Sequence, residues 1–127
     1  DKGLTDILKG TATLREAITQ PAGTGLSILT VGRSPDGAID LLNSARMEAL
    51  LSELLEIFEI IILDSAPVQV SNALILGGWA EKTIFVTRRD WTTHSQASYA
   101  VKQLQLYGAD IAGVIFNRVG VGNSYAA

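Results

Sequence analysis

The aliphatic run Ile60 to Leu63 most constrains how this chain can fold, because it ends directly on the carboxylate of Asp64. Its large apolar residues do not alternate with polar ones, so a strand formed there needs cover on both faces. Such strands are typical of parallel sheets that lie between layers of helices. The preceding segment has the apolar spacing of an amphipathic helix, with inward positions at Met47, Leu50, Leu51, Leu54, Leu55 and Phe58.

Strand and helix patterns alternate along the rest of the chain. Three further apolar runs predict strands at Leu26 to Val31, Thr83 to Thr87 and Ile111 to Phe116. A helix is predicted from His94 to Tyr107. This alternation predicts an α/β fold with three αβα layers around a mainly parallel sheet. We expect residues 1–127 to form a single domain, with 120–127 as a flexible tail.

Two short helices are predicted near the start of the chain, in the segments GLTDILKG and TLREAITQPAG. Thr5 and Thr13 are the predicted N-caps, and Glu16 follows Thr13 at the spacing of a capping box. A further short helix is predicted to begin at Ser71.

Composition excludes several classes of function. The chain has no cysteine and one histidine, which argues against disulfides and against zinc sites. Its net charge is −3 and its ten basic residues are scattered, so we expect no nucleic-acid partner. No apolar run approaches the roughly 20 residues that span a bilayer. The chain begins at Asp1 without a methionine, and we expect it to be a segment of a longer protein.

Polar side chains follow two of the predicted strands. In an open α/β sheet, ligands bind beyond the carboxyl ends of the strands. Asp64 there could hold Mg²⁺ through water, or it could simply cap the next turn. Asn117 and Arg118 could bind and stack on a purine, or could form an ordinary strand-to-loop transition. The two polar ends together favour a ligand more than either end does alone.

The ordered blocks GLTDILKG, DLLNSARM, FEIIILDSAPV, SNALIL, IFVTR and GVIFNRV closely resemble the cytoplasmic kinase domain of bacterial tyrosine kinases. These BY-kinases serve capsule and exopolysaccharide export and are related to the MinD/ParA P-loop ATPases. The resemblance extends from Gly3 to Val119. No single block is specific, but their order and spacing together are.

The resemblance implies a P-loop NTPase-like fold and an autophosphorylating, ATP-dependent protein-tyrosine kinase with Mg²⁺ as cofactor. By position, Asp64 corresponds to the catalytic Walker B aspartate, which ligates magnesium through water. Asn117 and Arg118 correspond to the adenine-binding pair, and Tyr125 is a candidate phosphate acceptor. The segment Thr87 to Thr93 matches a loop near the nucleotide. The implied partner is a membrane-anchored polysaccharide co-polymerase or activator, and the implied location is the cytoplasmic face of the inner membrane.

The chain departs from the family pattern in its phosphate-binding half. The family's Gly-Lys-Ser/Thr loop is absent, and the nearest segment, AGTGLS at Ala22 to Ser27, has no lysine and precedes a predicted strand. We therefore expect the carboxyl-terminal two-thirds of a kinase domain, with little ATP affinity by itself. We also expect self-association through surfaces that the absent part would cover. Two alternatives stay open, a non-catalytic scaffold of the export complex and a MinD/ParA-type ATPase fragment.

Overall fold

The computed structural model describes residues 2–32, 38–69 and 71–119. Contacts divide the chain into two compact units, Asp1–Ile62 and Leu63–Ala127. Tyr125 and the predicted tail lie outside the described residues.

Short helices and one long helix form most of the first unit. Its elements, in chain order, are α1 Leu4–Lys9, α2 Leu14–Ala17, β1 Ile18–Thr19, β2 Ile28–Leu29, α3 Ala38–Leu42 and α4 Ala45–Ile57. Helix α1 packs on α2 and α3, and α3 packs on α4. The buried core residues of this unit are Leu8, Ala17, Leu42, Met47, Leu50 and Leu54.

Local capping explains where these helices begin. The predicted capping box is confirmed, because the Glu16 carboxylate accepts from the Thr13 backbone N–H at 2.9 Å and from its hydroxyl at 3.0 Å. The prediction of Thr5 as an N-cap is wrong, since Gly3 occupies that position. Thr5 is buried inside α1, and its hydroxyl donates to the Val31 carbonyl at 2.9 Å.

The first sheet is an antiparallel pair of two-residue strands, β1 and β2. The predicted strand at Leu26 to Val31 is therefore shorter than expected. The segment Ala22 to Ser27 lies in the connection between β1 and β2. A phosphate-binding loop leads from a strand into the N-terminus of a helix. This segment instead joins two antiparallel strands.

The second unit contains a parallel strand pair with a helical crossover. Its elements are α5 Ser71–Trp79, β3 Thr83–Arg88, α6 His94–Leu106 and β4 Ile111–Asn117. Strands β3 and β4 are parallel, with Phe85 opposite Val114 and Thr87 opposite Phe116. Helix α6 ends before Gly108, whose φ of 89° suits glycine. This β3–α6–β4 arrangement confirms the predicted α/β class.

The predicted strand at Ile60 to Leu63 is not formed. Within the described residues, no backbone hydrogen bond joins positions 59–67 to another segment. Ile60 and Ile62 are 79% and 85% exposed, so the expected cover on both faces is also absent there. A strand requires a partner strand to satisfy its N–H and C=O groups, and no described segment pairs with this run.

Candidate functional site

The carboxyl end of β4 carries the predicted base-binding pair on a defined turn. Asn117 is the last residue of β4, and Arg118 follows with a φ of 60°. The Asn117 Oδ1 atom accepts from the Arg118 backbone N–H at 2.8 Å. That bond orients the side-chain amide, whose Nδ2 group can donate to a ligand.

A tight turn after β3 holds Asn117 from the neighbouring strand. The Arg89 backbone N–H donates to the Asn117 carbonyl at 3.1 Å. Within the turn, the N–H groups of Trp91 and Thr92 both donate to the Arg88 carbonyl, at 3.3 and 3.0 Å. The Arg88 N–H in return donates to the Thr92 hydroxyl at 3.1 Å. The ends of β3 and β4 are thus tied together at the edge where ligands bind in α/β sheets.

The same turn displays an exposed aromatic side chain. Trp91 is 73% exposed on this turn. The Arg88 guanidinium lies 5.1 Å from the centre of the Trp91 ring, a cation–π distance. In the sequence, the signal for this turn is the arginine pair followed by tryptophan in TRRDW.

Asp64 is exposed and lies in the segment that forms no strand. No hydrogen bond or ion pair in the described structure joins it to Asn117 or Arg118. Next to it, the Ser65 hydroxyl donates to the Ala66 carbonyl at 3.0 Å, a local turn contact. Across positions 2–32, 38–69 and 71–119, no group of three or more His, Asp or Glu side chains could hold a metal. The magnesium role of Asp64 stays a prediction.

Tyr125, the predicted phosphate acceptor, lies outside the described residues, so its position relative to the site is not defined. No helix in the described part of the chain combines the length and apolarity that crossing a bilayer requires.

No protein-family model matches the chain. Curated relatives do, over nearly its whole length. The chain is 29% identical over 97% of its length to EpsB of Ralstonia solanacearum, described as a candidate tyrosine-protein kinase. It is 31% identical over 92% to a candidate tyrosine-protein kinase of the cps region of Klebsiella pneumoniae. The tyrosine-protein kinase etk of Escherichia coli K12 is 28% identical over 94%. The chain spans only 16–18% of the length of these relatives.

Solved structures agree with this relationship. The VpsO kinase domain superposes with a TM-score of 0.86 and 30% identity, over 93% of this chain and 59% of that one. The BceF tyrosine kinase domain gives a TM-score of 0.82 and 31% identity, over 90% and 48% of the two chains. The kinase domain of Escherichia coli ETK gives 0.83 and 26%, over 98% and 51%. By sequence and by fold, the chain matches a segment of the bacterial tyrosine kinase (BY-kinase) domain.

Proposed function

We propose that this chain is the base-binding part of an ATP-dependent, autophosphorylating protein-tyrosine kinase that regulates capsule or exopolysaccharide biosynthesis. The observation that carries the proposal is the agreement with three solved BY-kinase domains over 90–98% of the chain. We also propose that residues 1–127 form one domain of that kinase. Its location would be the cytoplasmic face of the inner membrane, beside a membrane-anchored activator or co-polymerase.

Asn117 and Arg118 fit the edge and face of an adenine ring. The Asn117 Oδ1 atom is engaged by the Arg118 N–H, so the Nδ2 group would donate to a ring nitrogen of the base. The Arg118 side chain is exposed and can stack on the ring. These two residues would hold and orient the base, which matters because phosphoryl transfer depends mainly on positioning and charge neutralisation.

Asp64 would supply the acidic group on the metal side of the nucleotide. A carboxylate that holds Mg²⁺ through water helps to neutralise the phosphate charge that develops during transfer. Tyr125 would be one acceptor of the transferred phosphoryl group. This sequence has no Gly-Lys-Ser/Thr loop, whose lysine and backbone N–H groups would bind the phosphates. We therefore propose that these 127 residues alone bind Mg-ATP weakly.

The base contact can be tested on the chain itself by NMR titration with adenosine, which needs no phosphate cradle. We expect shifts of the Asn117 side-chain amide and of Arg118, and smaller shifts with uridine. Asn117→Asp keeps an oxygen for the Arg118 N–H but removes the Nδ2 donor, so it should weaken adenosine binding by about fivefold. Lys102→Gln, on the exposed side of α6, is the matched control. Equal adenosine binding by Asn117→Asp would refute the assigned contact.

The kinase activity requires a protein that carries this chain together with a phosphate-binding loop. In such a protein, Asp64→Asn should lower autophosphorylation by about 100-fold, because it removes a charge that stabilises the transition state. Unchanged phosphotyrosine in that variant would contradict the role of Asp64. Calorimetry of the 127-residue chain with Mg-ATP should show no tight, stoichiometric binding.

A further inference from the structure

The turn after β3 carries an aromatic side chain that the base contacts of Asn117 and Arg118 leave without a role. Trp91 is largely exposed, whereas tryptophans that serve only the fold are largely buried. The Arg88 guanidinium lies 5.1 Å from the centre of its ring and covers one face of the indole. The other face is open to a ligand, in agreement with the exposure.

Backbone contacts place Trp91 close to Asn117, at the carboxyl end of the sheet. Arg88 and Asn117 are register partners in β3 and β4, so they lie about 4.8 Å apart and share a face of the sheet. The Trp91 N–H donates to the Arg88 carbonyl at 3.3 Å, and a turn closed in this way keeps its ends within about 7 Å. The Cα atoms of Trp91 and Asn117 are therefore within about 12 Å of each other, and one base can contact both side chains.

Further hydrogen bonds fix the turn that carries the indole. The Thr92 N–H donates to the Arg88 carbonyl at 3.0 Å, and the Thr92 hydroxyl accepts from the Arg88 N–H at 3.1 Å. The Arg89 N–H donates to the Asn117 carbonyl at 3.1 Å, which ties the turn to the residue of the proposed base contact. A ligand that contacts both Trp91 and Asn117 would therefore lose little binding energy to ordering of the site.

An exposed indole and a side-chain amide at one site suit a flat aromatic ligand with a polar edge. Stacking uses the π-face of a base, which every base has. The hydrogen bonds of an amide depend instead on the donors and acceptors along the base edge. Trp91 would thus supply affinity for any base, and Asn117 would distinguish one base from another.

We propose that Trp91 is a further nucleotide-binding residue, whose indole stacks on the base that Asn117 and Arg118 hold. Arg88 is its positioning residue, because the guanidinium holds the indole from the face that the base does not use. The inference rests on the proposed base-binding function and adds to it a contact that needs no phosphate-binding loop.

Indole emission tests the contact directly. The chain has two tryptophans, so Trp79→Phe leaves Trp91 as the sole emitter. Adenosine should quench this emission, excited at a wavelength that adenosine does not absorb, over the same concentrations that shift the Asn117 side-chain amide in NMR spectra. The indole N–H resonance of Trp91 in the natural chain should shift over that range too. Shifts of Asn117 without any response of Trp91 would overturn the stacking contact alone. No response of either residue would overturn the base-binding function as well.

Variants measure how much the indole contributes to binding. Trp91→Leu should weaken adenosine binding by about tenfold, and Trp91→Phe, which keeps a smaller ring, by less. Trp91→Leu should weaken inosine binding by the same factor, since stacking does not depend on the base edge, whereas Asn117→Asp should affect adenosine more than inosine. Tyr99→Leu removes an exposed aromatic side chain from α6 and is the matched control. Equal adenosine binding by Trp91→Leu and Tyr99→Leu, both folded by circular dichroism, would overturn the proposal.

Discussion

At the scale of single residues, Glu16 is the carboxylate whose protonation is most clearly coupled to the fold. Its Oε1 atom accepts from the Lys2 ammonium at 2.6 Å, and its Oε2 atom accepts from the N–H and hydroxyl of Thr13. These hydrogen bonds lower the pKa of Glu16 from 4.5 to about 2, and the hydrogen bond from Lys2 contributes most. These partners stabilise the ionised carboxylate in the folded chain, and they are lost when the chain unfolds.

The pH dependence of stability follows from that shift. A carboxylate whose pKa is lower in the folded state stabilises the fold above its unfolded pKa. We expect the Glu16 contribution to be complete above about pH 5 and to disappear as the pH falls from 4.5 toward 2. Urea unfolding of the natural chain and of Glu16→Gln should therefore differ at pH 6 and converge near pH 2. Glu53→Gln, an exposed position on α4, reports the effect of losing a surface charge. A difference at pH 6 no larger than for Glu53→Gln would contradict the coupling.

At the scale of elements, two glycines allow α5 to approach the end of α6 closely. A Cβ atom at Gly78 would lie 2.7 Å from the Tyr107 carbonyl oxygen, a backbone atom that cannot turn aside. At Gly77 it would lie 3.2 Å from the side chains of Leu104 and Ala109. The GG pair in SNALILGGW thus serves helix packing, which outweighs the low helix propensity of glycine.

Gly78→Ala should destabilise the chain despite its better helix propensity. Overpacking against fixed backbone costs about 1–3 kcal/mol, which exceeds the gain of about 1 kcal/mol from replacing glycine within a helix. Thermal or urea unfolding would measure the difference. Gly113→Ala is the control, because no atom lies within 4 Å of a Cβ placed there. An equal or higher stability of Gly78→Ala would show that α5 shifts freely on α6.

Elements whose pattern is local were predictable from the sequence. The amphipathic helix predicted ahead of Ile60 is α4, which Ser44 caps, because the apolar spacing and the cap lie within one segment. Ile60 to Leu63 was predicted incorrectly because a strand depends on a partner that the pattern of one segment does not reveal. The hydrogen bond from the Arg89 N–H to the Asn117 carbonyl was also not predictable, since it joins backbone atoms of residues 28 positions apart.

At the scale of the whole molecule, apolar strand-forming residues are exposed in both compact units. Besides Ile60 and Ile62, one face of the β3–β4 sheet exposes Ile84, Val86 and Ile115 by 50–58%. Parallel strands are normally covered on both faces. Exposed apolar strands of this kind promote association with other chains.

We therefore expect the isolated chain to self-associate, with a light-scattering mass that rises above 13.5 kDa as concentration increases. Ile62→Lys should weaken this association by about tenfold or more, since it places a charge in a surface that association would bury. Tyr99→Lys is the control, because it places the same charge at an exposed aromatic side chain on α6. It should weaken the association less than Ile62→Lys does. A mass of 13.5 kDa at every concentration would contradict the expectation.

The two tryptophans, Trp79 and Trp91, both lie in the second compact unit. Indole emission therefore reports only on Leu63–Ala127, whereas far-ultraviolet dichroism records helices of both units. Because of this asymmetry, the chain carries its own spectroscopic label for one half. Coincident transitions by the two signals would be the mark of a single cooperative domain, and separated transitions would show that the halves melt independently.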